Sequence, residues 1–256
     1  MIIVKSPEEI ERMAGACRIV AETLEAVKGF VRPGIPTREI ELFAGKMVLA
    51  KGGTLAFKGY RGYPAGICTS VNSQVVHGIP SAVVLKDGDI VSIDLGVYRE
   101  GFYGDAAITL PVGSISGDAE RLLKVTEDAL ALGIEQVMPG NRVSDISDAV
   151  QRHVEANGFS VVRTFVGHGI GRSLHEDPQI PNYGSPGRGP RLREGMTFAI
   201  EPMVNAGSYE VLILDDGWTA VTADGSLSAH FEHTVAVTER GVRILTNNDY
   251  ISKIRG

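Results

Sequence analysis

Five residues of the types that bind divalent metals are spread along the chain: Asp94, Asp105, His168, Glu201 and Glu232. The four carboxylates lie in apolar segments, where an isolated charge costs several kcal/mol unless it is paired or bound to a metal. Four carboxylates and one neutral imidazole balance two divalent cations, and this donor set suits Mn, Fe, Co or Zn. Two such ions about 3.5–4 Å apart can share a hydroxide and polarise a carbonyl group. The five residues therefore indicate a hydrolytic site with two metal ions.

The sequence around Asp94 and Asp105 predicts a β-hairpin. An apolar strand runs into Arg99 and Glu100, and a second strand follows. With the turn centred near Arg99 and Glu100, the two aspartates lie opposite each other, and like charges that close need a cation between them. A single aspartate of this kind could instead cap a turn or bond to the backbone, but that alternative fits a facing pair less well.

Three of the six histidines are candidates for chemistry. His168 lies between two glycines, which would allow backbone and metal to approach closely. His77 and His175 lie in loop-like segments, where histidines beside a metal centre transfer protons or bind oxyanions. The remaining three are interpreted as structural residues: His153, His230 and His233.

The elements that must position these side chains occur twice along the chain. VRPGIPTREI at 31–40 is echoed by VMPGNRVSDI at 137–146, and each opens a stretch with the apolar periodicity of a helix. LKDGDIVSID at 85–94 is echoed by LREGMTFAIE at 192–201. In this second repeat, Asp94 at the end of one segment corresponds to Glu201 at the end of the other.

The repeat predicts an α+β fold of two similar halves, roughly residues 1–112 and 113–256, related by an approximate two-fold axis. Two joined sheets would bring the acidic residues of both halves to a central cleft within one catalytic domain, residues 1–256. The first helix has the clearest start, because Ser6 and Glu9 have the spacing of a capping box.

The composition excludes several classes of protein. The chain has 256 residues, of which 43% are hydrophobic and 22% charged, and this is ordinary for a globular protein. Its formal charge of −6 gives no reason to expect strong nucleic-acid binding. Two cysteines make no disulfide scaffold, and no apolar run approaches the roughly 20 residues that span a bilayer. We expect a soluble cytoplasmic protein without a membrane partner.

Five motifs carry a resemblance that covers essentially the whole chain: VNSQVVHGIP (71–80), VSIDLGVYREGFYGDAA (91–107), GHGIGRSLHEDP (167–178), FAIEP (198–202) and FEHTVAV (231–237). With them the chain resembles the type I methionine aminopeptidases, which have the pita-bread fold, and its short length resembles the bacterial form. The resemblance implies removal of the initiator methionine from nascent proteins when the second residue is small. A hydroxide shared by the two metals would attack the first peptide bond.

The resemblance also implies a division of labour among the five ligands. Asp94 is expected to bind one metal, His168 and Glu201 the other, and Asp105 and Glu232 both. Glu201 is expected to relay the proton of the attacking water as well. Cobalt, manganese, iron and zinc all share such ligands, so the sequence leaves the metal open.

Two histidines and an apolar pocket complete the expected site. By resemblance, His77 lies near the scissile nitrogen and His175 at the carbonyl oxygen as it becomes an oxyanion. Both histidines also belong to the expected substrate-binding set, with five further residues: Tyr60, Tyr63, Cys68, Leu174 and Trp218. Leu174 departs from the aromatic residue of well-known bacterial members, so the pocket wall stays apolar but loses a ring. Packing in the core is the alternative for Trp218, the single tryptophan.

The resemblance extends to a monovalent cation held by backbone oxygens near Asn72 and Ser228. The expected partners are nascent polypeptide N-termini and, through them, the ribosome, with the chain acting as a monomer. Two rival functions stay open at this point. A proline-directed aminopeptidase shares the five ligands but carries a sizeable N-terminal domain. A non-catalytic binding protein of the same fold loses metal ligands, and here all five are present.

Overall fold

The computed structural model describes residues 1–247. Within that range the chain forms four α-helices, one 3-10 helix and fifteen strands. The first set of elements is α1 (Pro7–Phe30), α2 (Thr37–Ala50), β1 (Thr54–Leu55), the 3-10 helix (Tyr60–Gly62), β2 (Cys68–Val71), β3 (Gln74–Val76), β4 (Ile90–Arg99) and β5 (Phe102–Pro111).

The second set begins again with two helices. It comprises α3 (Gly117–Glu135), α4 (Val143–Ala156), β6 (Ser160–Val161), β7 (Gly167–Gly169), β8 (Glu176–Ile180), β9 (Thr197–Ile200), β10 (Met203–Asn205), β11 (Val211–Ile213), β12 (Ala220–Thr222), β13 (Ser228–His230), β14 (Glu232–Thr238) and β15 (Gly241–Ile244). The α+β organisation predicted from the repeat, with two helices and several strands in each half, is confirmed.

The start of α1 follows from its sequence. The Ser6 hydroxyl accepts a hydrogen bond from the Glu9 backbone, and the Glu9 carboxylate accepts one from the Ser6 backbone, which completes the predicted capping box. Pro7 suits the first turn because its missing N–H would have no partner there. The predicted apolar face is buried along its length: Ile10, Met13, Ala14, Cys17, Ala21 and Leu24.

The halves share one continuous sheet. Its strand order is β1-β4-β5-β14-β9-β7-β8, with β2 also paired to β4 and β15 to β14. The junction is the antiparallel pairing of β5 with β14, so the strands of the first half lie on one side of it and those of the second half on the other. Two smaller sheets, β13-β10-β6 and β11-β12-β3, lie beside it.

Apolar layers cover the central sheet. One core packs α3 and α4 against strands of the second half, and another packs α1 and α2 against β4 and β5. At the centre α1 approaches β5 very closely: a Cβ on Gly104 would lie 2.7 Å from the Cys17 backbone nitrogen and 2.8 Å from its Cα. A glycine at this position is what allows the helix to lie so near the strand that carries Asp105.

This contact predicts a large effect of one methyl group. Gly104→Ala should lower the free energy of unfolding by about 1–3 kcal/mol, since the helix backbone must move to admit the added carbon. Urea denaturation of the two proteins measures the difference. Gly29→Ala is the matched control, because Gly29 lies in α1 with no atom near its added Cβ. Equal effects of both substitutions would contradict this explanation.

Candidate metal centre

One row across the central sheet brings acidic residues of both halves together. Asp94 on β4 is paired with Ala107 on β5, and Ala107 is paired in turn with Glu232 on β14. Paired residues point to the same side of a sheet, so Asp94 and Glu232 flank the small Ala107 side chain. Asp105 lies two residues before Ala107 and therefore on the same face. Three carboxylates thus meet above the junction of the halves.

The second half adds the remaining two residues to this face. His168 on β7 is paired with Ala199 on β9, and Glu201 follows two residues later, directly after the strand. His168 Nε2 lies 3.5 Å from Glu201 Oε1. One ligand atom each of Asp105, His168 and Glu232 lies within 4.8 Å of the other two. All five predicted ligands therefore converge, four from strands β4, β5, β7 and β14 and Glu201 from the end of β9.

The hairpin that carries Asp94 and Asp105 differs from the predicted register by two residues. Its turn is Glu100-Gly101, with positive φ values of 50° and 88°, as in the type I′ turns of two-residue hairpins. Asp105 consequently faces Gly96, and Asp94 lies diagonally from it rather than opposite. The prediction of directly facing aspartates was wrong, although both carboxylates still reach the same face.

The polar atoms of the cluster fit a pair of divalent cations. Asp94 Oδ1, Asp105 Oδ1 and Glu232 Oε1 are buried and have no hydrogen-bond partner within residues 1–247. Such atoms are rare in folded proteins unless an ion or water binds them. His168 Nδ1 lies 2.9 Å from the Gly169 carbonyl oxygen, which can only accept, so Nδ1 carries the hydrogen. That leaves the Nε2 lone pair free to face the carboxylates as a ligand.

Burial makes the charged forms of these carboxyls expensive. It raises the pKa of Asp94 to about 7 and that of Glu201 to about 7. Burial, and next the neighbouring carboxylates, also raise the pKa of Asp105 and of Glu232 well above their usual values. Divalent cations would reverse these shifts by favouring the ionised forms.

A pocket opens over the five ligands and contains every residue that the sequence marked for the site. Its lining is Phe57, Tyr60, Arg61, Tyr63, Cys68, His77, Asp94, Asp105, His168, Leu174, His175, Glu201, Trp218 and Glu232. The five ligands line this pocket together with aromatic, aliphatic and thiol side chains, the two loop histidines and Arg61.

The two loop histidines are held by aromatic neighbours. His77 has a positive φ of 60°, and its ring meets Phe165 edge to face at 5.2 Å. Burial lowers the pKa of His77 to about 4. The His175 ring stacks on Tyr60 at 5.2 Å and lies 4.1 Å from the His168 ring, with Nδ1 3.0 Å from the Tyr60 hydroxyl.

The pKa of His175 falls to about 3, first because protein atoms crowd its ring and then because the His168 ring is close. The residue nevertheless keeps one side open to solvent. Both His77 and His175 are therefore neutral at physiological pH in the metal-free protein.

Aromatic, aliphatic and thiol groups form the pocket wall. The Tyr63 ring meets the Trp218 ring edge to face at 5.2 Å, and the Tyr63 hydroxyl lies 3.1 Å from the carbonyl oxygens of Ile67 and Gly78. Cys68 is paired with Asp94 across the strands, and Leu174 is 1% exposed. Trp218 is half-buried: it lines the pocket and also packs against the apolar cluster that contains Tyr63 and Cys68.

Three residues of the site were missed from the sequence. Phe57 and Arg61 line the pocket but belong to no motif that points to chemistry. His230 was interpreted as structural, yet its buried Nε2 lies 3.7 Å from Glu201 Oε2 and has no hydrogen-bond partner among the described residues. No local signal marks this position, because His230 ends β13 and Glu232 begins β14, so alternation along one strand does not relate the two residues.

The glycines beside His168 have a different cause from the predicted one. A Cβ on Gly167 would lie 2.5 Å from the Ala199 carbonyl oxygen, and a Cβ on Gly169 would lie 2.1 Å from the Asp177 carbonyl oxygen. The glycines therefore allow β7 to fit between neighbouring backbones, which fixes the place of His168. Elsewhere, the Ser228 backbone N–H donates to the Asn72 carbonyl at 2.9 Å, so the two residues named for a monovalent cation are adjacent.

Comparison with known proteins assigns this site to a class. The model of metallopeptidase family M24 matches residues 11–239, and the chain belongs to that family. Among the described residues, no helix is both long enough and apolar enough to cross a membrane.

Its relatives narrow the assignment. The chain is 57% identical to a methionine aminopeptidase of Clostridium perfringens over 246 residues, which cover 96% of this chain and 99% of the relative. It matches the crystal structure of a methionine aminopeptidase from Thermotoga maritima with a TM-score of 0.96 and 49% identity, covering 97% of this chain and 100% of the other. Within M24 it therefore belongs to the methionine aminopeptidases, metallo-exopeptidases that hydrolyse the bond after an N-terminal methionine. The predicted pita-bread fold and the predicted enzyme class are confirmed.

A more distant likeness concerns the fold alone. A prolidase from Pyrococcus furiosus matches with a TM-score of 0.77 at 23% identity, covering 96% of this chain and 66% of the prolidase. The proline-directed rival and the non-catalytic rival are accordingly not favoured over the methionine aminopeptidases.

The buried carboxyls predict that the metal-free protein loses stability as pH rises. A carboxyl whose pKa is raised on folding from about 4 to about 7 favours the folded state less once it ionises, so stability should fall between pH 4 and 7. Asp105→Asn removes one of these charges. It should raise the melting temperature of the metal-free protein at pH 8 and at the same time reduce the metal bound per chain.

Thermal unfolding after chelation, with elemental analysis of the reloaded protein, tests both effects. Asp128→Asn is the matched control, since the Asp128 side chain is 38% exposed on α3 and far from the pocket lining. A metal-free Asp105→Asn protein that melts below the wild type, or that binds as much metal, would contradict the assignment of a buried ligand.

Proposed function

We propose that the chain removes the initiator methionine from nascent polypeptides whose second residue is small. The observation that carries this proposal is the convergence of five ligand-type side chains in a pocket that aromatic, aliphatic and thiol side chains also line. An unbranched thioether fits such a wall of rings, an aliphatic chain and a thiol. The substrate's amino end and first carbonyl would then lie at the carboxylate cluster.

Two divalent metals would be held by the five residues already described. In this proposal Asp94 binds one ion, His168 and Glu201 bind the other, and Asp105 and Glu232 bind both. The unpaired oxygens of Asp94, Asp105 and Glu232 and the available Nε2 of His168 support these residues as ligands. When bound, such a pair supplies a Lewis acid for the carbonyl oxygen and lowers the pKa of a water. Cobalt, manganese, iron and zinc are all compatible with these donors.

Glu201 is proposed to act in catalysis as well as in binding metal. Its carboxyl is nearly buried beside the His168 ring and lines the pocket, so a water held at the cluster would lie within reach of it. It would accept the proton of the attacking water and deliver it to the leaving amine. The adjacent His230 would limit how far the Glu201 carboxylate can swing.

His77 and His175 are proposed to bind the reacting peptide bond in their neutral forms. With the Tyr60 hydroxyl donating to His175 Nδ1, the hydrogen of this imidazole lies on Nε2. An Nε2–H donor would stabilise the carbonyl oxygen as negative charge develops. His77, whose ring lies 6.5 Å from that of Trp218, would contact the scissile nitrogen.

The pocket wall, an additional monovalent cation and the cellular setting complete the proposed function. Tyr60, Tyr63, Cys68, Leu174 and Trp218 would hold the methionine side chain, and they line one continuous pocket. A monovalent cation is proposed near Asn72 and Ser228, whose backbones meet. We infer that residues 1–256 act as one catalytic domain. We also infer that the protein works as a monomer in the cytoplasm, on polypeptide chains that leave the ribosome.

Substrate choice tests the proposed function directly. Met-Gly, Met-Ala and Met-Ser peptides should release methionine, while Met-Leu and Met-Ile peptides should be cleaved at least about 10²-fold more slowly. A bulky second residue displaces the carbonyl from its position, and a misplacement of about 1 Å can cost that much. Chromatographic assay of free methionine measures the rates, with Xaa-Pro peptides as the control. Faster cleavage of the Xaa-Pro series, or release from neither series, would contradict the proposal.

The histidines are expected to separate by role. His77→Ala and His175→Ala should keep their metal and lose about 10²–10⁴-fold in kcat, the usual range for lost proton transfer or oxyanion binding. His153→Ala is the control, since His153 lies on α4 outside the pocket lining, and its kcat should stay near the wild-type value. Elemental analysis accompanies the kinetics. If His175→Ala emptied the metal site, the role assigned to His175 would be wrong.

A further inference from the structure

The loop that carries His175 is tied to the segment before α1 by a buried ion pair. Lys5 Nζ lies 2.5 Å from Glu176 Oε2, and the two side chains are 1% and 4% exposed. Glu176 directly follows His175 in the chain. A second ion pair, between Arg172 and Glu9, joins the same loop to the first turn of α1.

One carboxylate organises this loop. Glu176 Oε1 accepts hydrogen bonds from the backbone N–H groups of Arg172 at 2.8 Å and Ser173 at 3.1 Å, while Oε2 accepts from Lys5. The loop is thereby closed around Glu176 over the residues that precede His175. Leu174, which lines the substrate pocket, lies within the closed turn.

Lys5 is itself fixed from several sides. Its backbone N–H donates to the Gly195 carbonyl at 2.8 Å, and its ammonium group donates to the Ile3 carbonyl at 3.1 Å. A Cβ on Gly171 would lie 2.3 Å from Lys5 Cε, so a glycine there leaves room for the lysine side chain. The ammonium group therefore has little freedom to follow Glu176 if the loop moves.

Stability alone does not account for a buried ion pair at this position. Removing two charges from water costs free energy, and an apolar pair of similar volume often serves a fold equally well. A charged pair with additional hydrogen bonds does fix geometry, because each donor must meet its acceptor at a set distance and angle. The geometry that this pair fixes is that of the backbone next to His175.

We propose that the Lys5–Glu176 ion pair is a positioning device that holds His175 at the reacting carbonyl. The inference rests on the role proposed above for His175. The ring contacts with Tyr60 and His168 set the orientation of the imidazole, and the ion pair sets where its backbone stands. Lys5 and Glu176 touch neither the substrate pocket nor the ligands and act only through the loop.

A double-mutant cycle on the metal-loaded enzyme tests the proposal, with Lys5→Met, His175→Ala and the combined variant. Lys5→Met keeps the length of the side chain and removes its charge. It should lower kcat for a Met-Ala peptide by about 10- to 100-fold with the metal content unchanged, as expected for a catalytic group displaced by up to about 1 Å. In the His175→Ala background the same substitution should change kcat by less than about 2-fold, because nothing is left to position.

Two further variants separate positioning from folding. Lys5→Arg keeps the charge and should recover most of the lost activity. Lys124→Met is the matched control, since Lys124 pairs with Asp128 on the exposed side of α3 and its loss should leave kcat within about 2-fold of the wild type. Circular dichroism at the assay temperature verifies that each variant is folded. If Lys5→Met is not, Glu176→Gln takes its place in the cycle, because the amide removes the charge and keeps an acceptor.

The outcomes distinguish the inference from the proposed function. Equal and independent losses from Lys5→Met in both backgrounds would overturn the positioning role while leaving the role of His175 intact. A His175→Ala variant with wild-type kcat would overturn the proposed role of His175, and the positioning inference would fall with it. A loss of kcat confined to the background that contains His175 supports both.

Discussion

Mutual repulsion among four carboxylates on one face of one sheet is the constraint on which this molecule depends. Asp94, Asp105, Glu201 and Glu232 lie close together where water reaches them poorly, and burial raises the pKa of each. Without cations the protein must either protonate these groups or tolerate their charge. With two divalent cations the same groups become favourable ligands. Metal binding and the stability of this region are therefore coupled.

The duplicated chain explains how such a cluster can be assembled. Each half contributes two neighbouring strands with acidic residues, and the pairing of β5 with β14 sets them side by side. Small residues allow close packing at the junction. Ala107 lies between Asp94 and Glu232, and Gly104 lets α1 pack closely against β5. His77, His175, Leu174 and Trp218 lie outside regular strands, whereas Cys68 begins β2. Strands of the central sheet thus carry most of the ligands, and loops carry most of the groups that would meet the substrate.

Much of this could be predicted from the sequence because it depends on local composition. Local patterns predicted three such features: a carboxylate in an apolar strand, a capping box at Ser6 and a repeated helix–strand pattern. The five ligands were predicted from these patterns. The turn at Glu100-Gly101 could not be placed as well, because the choice between neighbouring two-residue turns rests on backbone geometry that the apolar pattern leaves open. The turn lies one residue beyond the predicted one, which shifts the pairing by two residues, so Asp105 keeps its face of the sheet but is paired with Gly96.

Other features depend on contacts between distant parts of the chain. His230 lies at Glu201 because β13 and β10 pair in a separate sheet, which alternation within β14 does not reveal. The glycines beside His168 accommodate the backbones of β8 and β9, which no local pattern specifies. The bond between Lys5 and Glu176 joins residues 171 positions apart and has no signature in either segment.

Anomalous X-ray diffraction from crystals grown with Mn²⁺ would show whether two metal ions bind at the five ligands. We expect two strong peaks about 3.5–4 Å apart, both within bonding distance of Asp105 and Glu232. One peak should also contact Asp94, and the other His168 and Glu201. Fully bound manganese that gives its peaks away from these five side chains, or no peak among them at saturating Mn²⁺, would contradict the account.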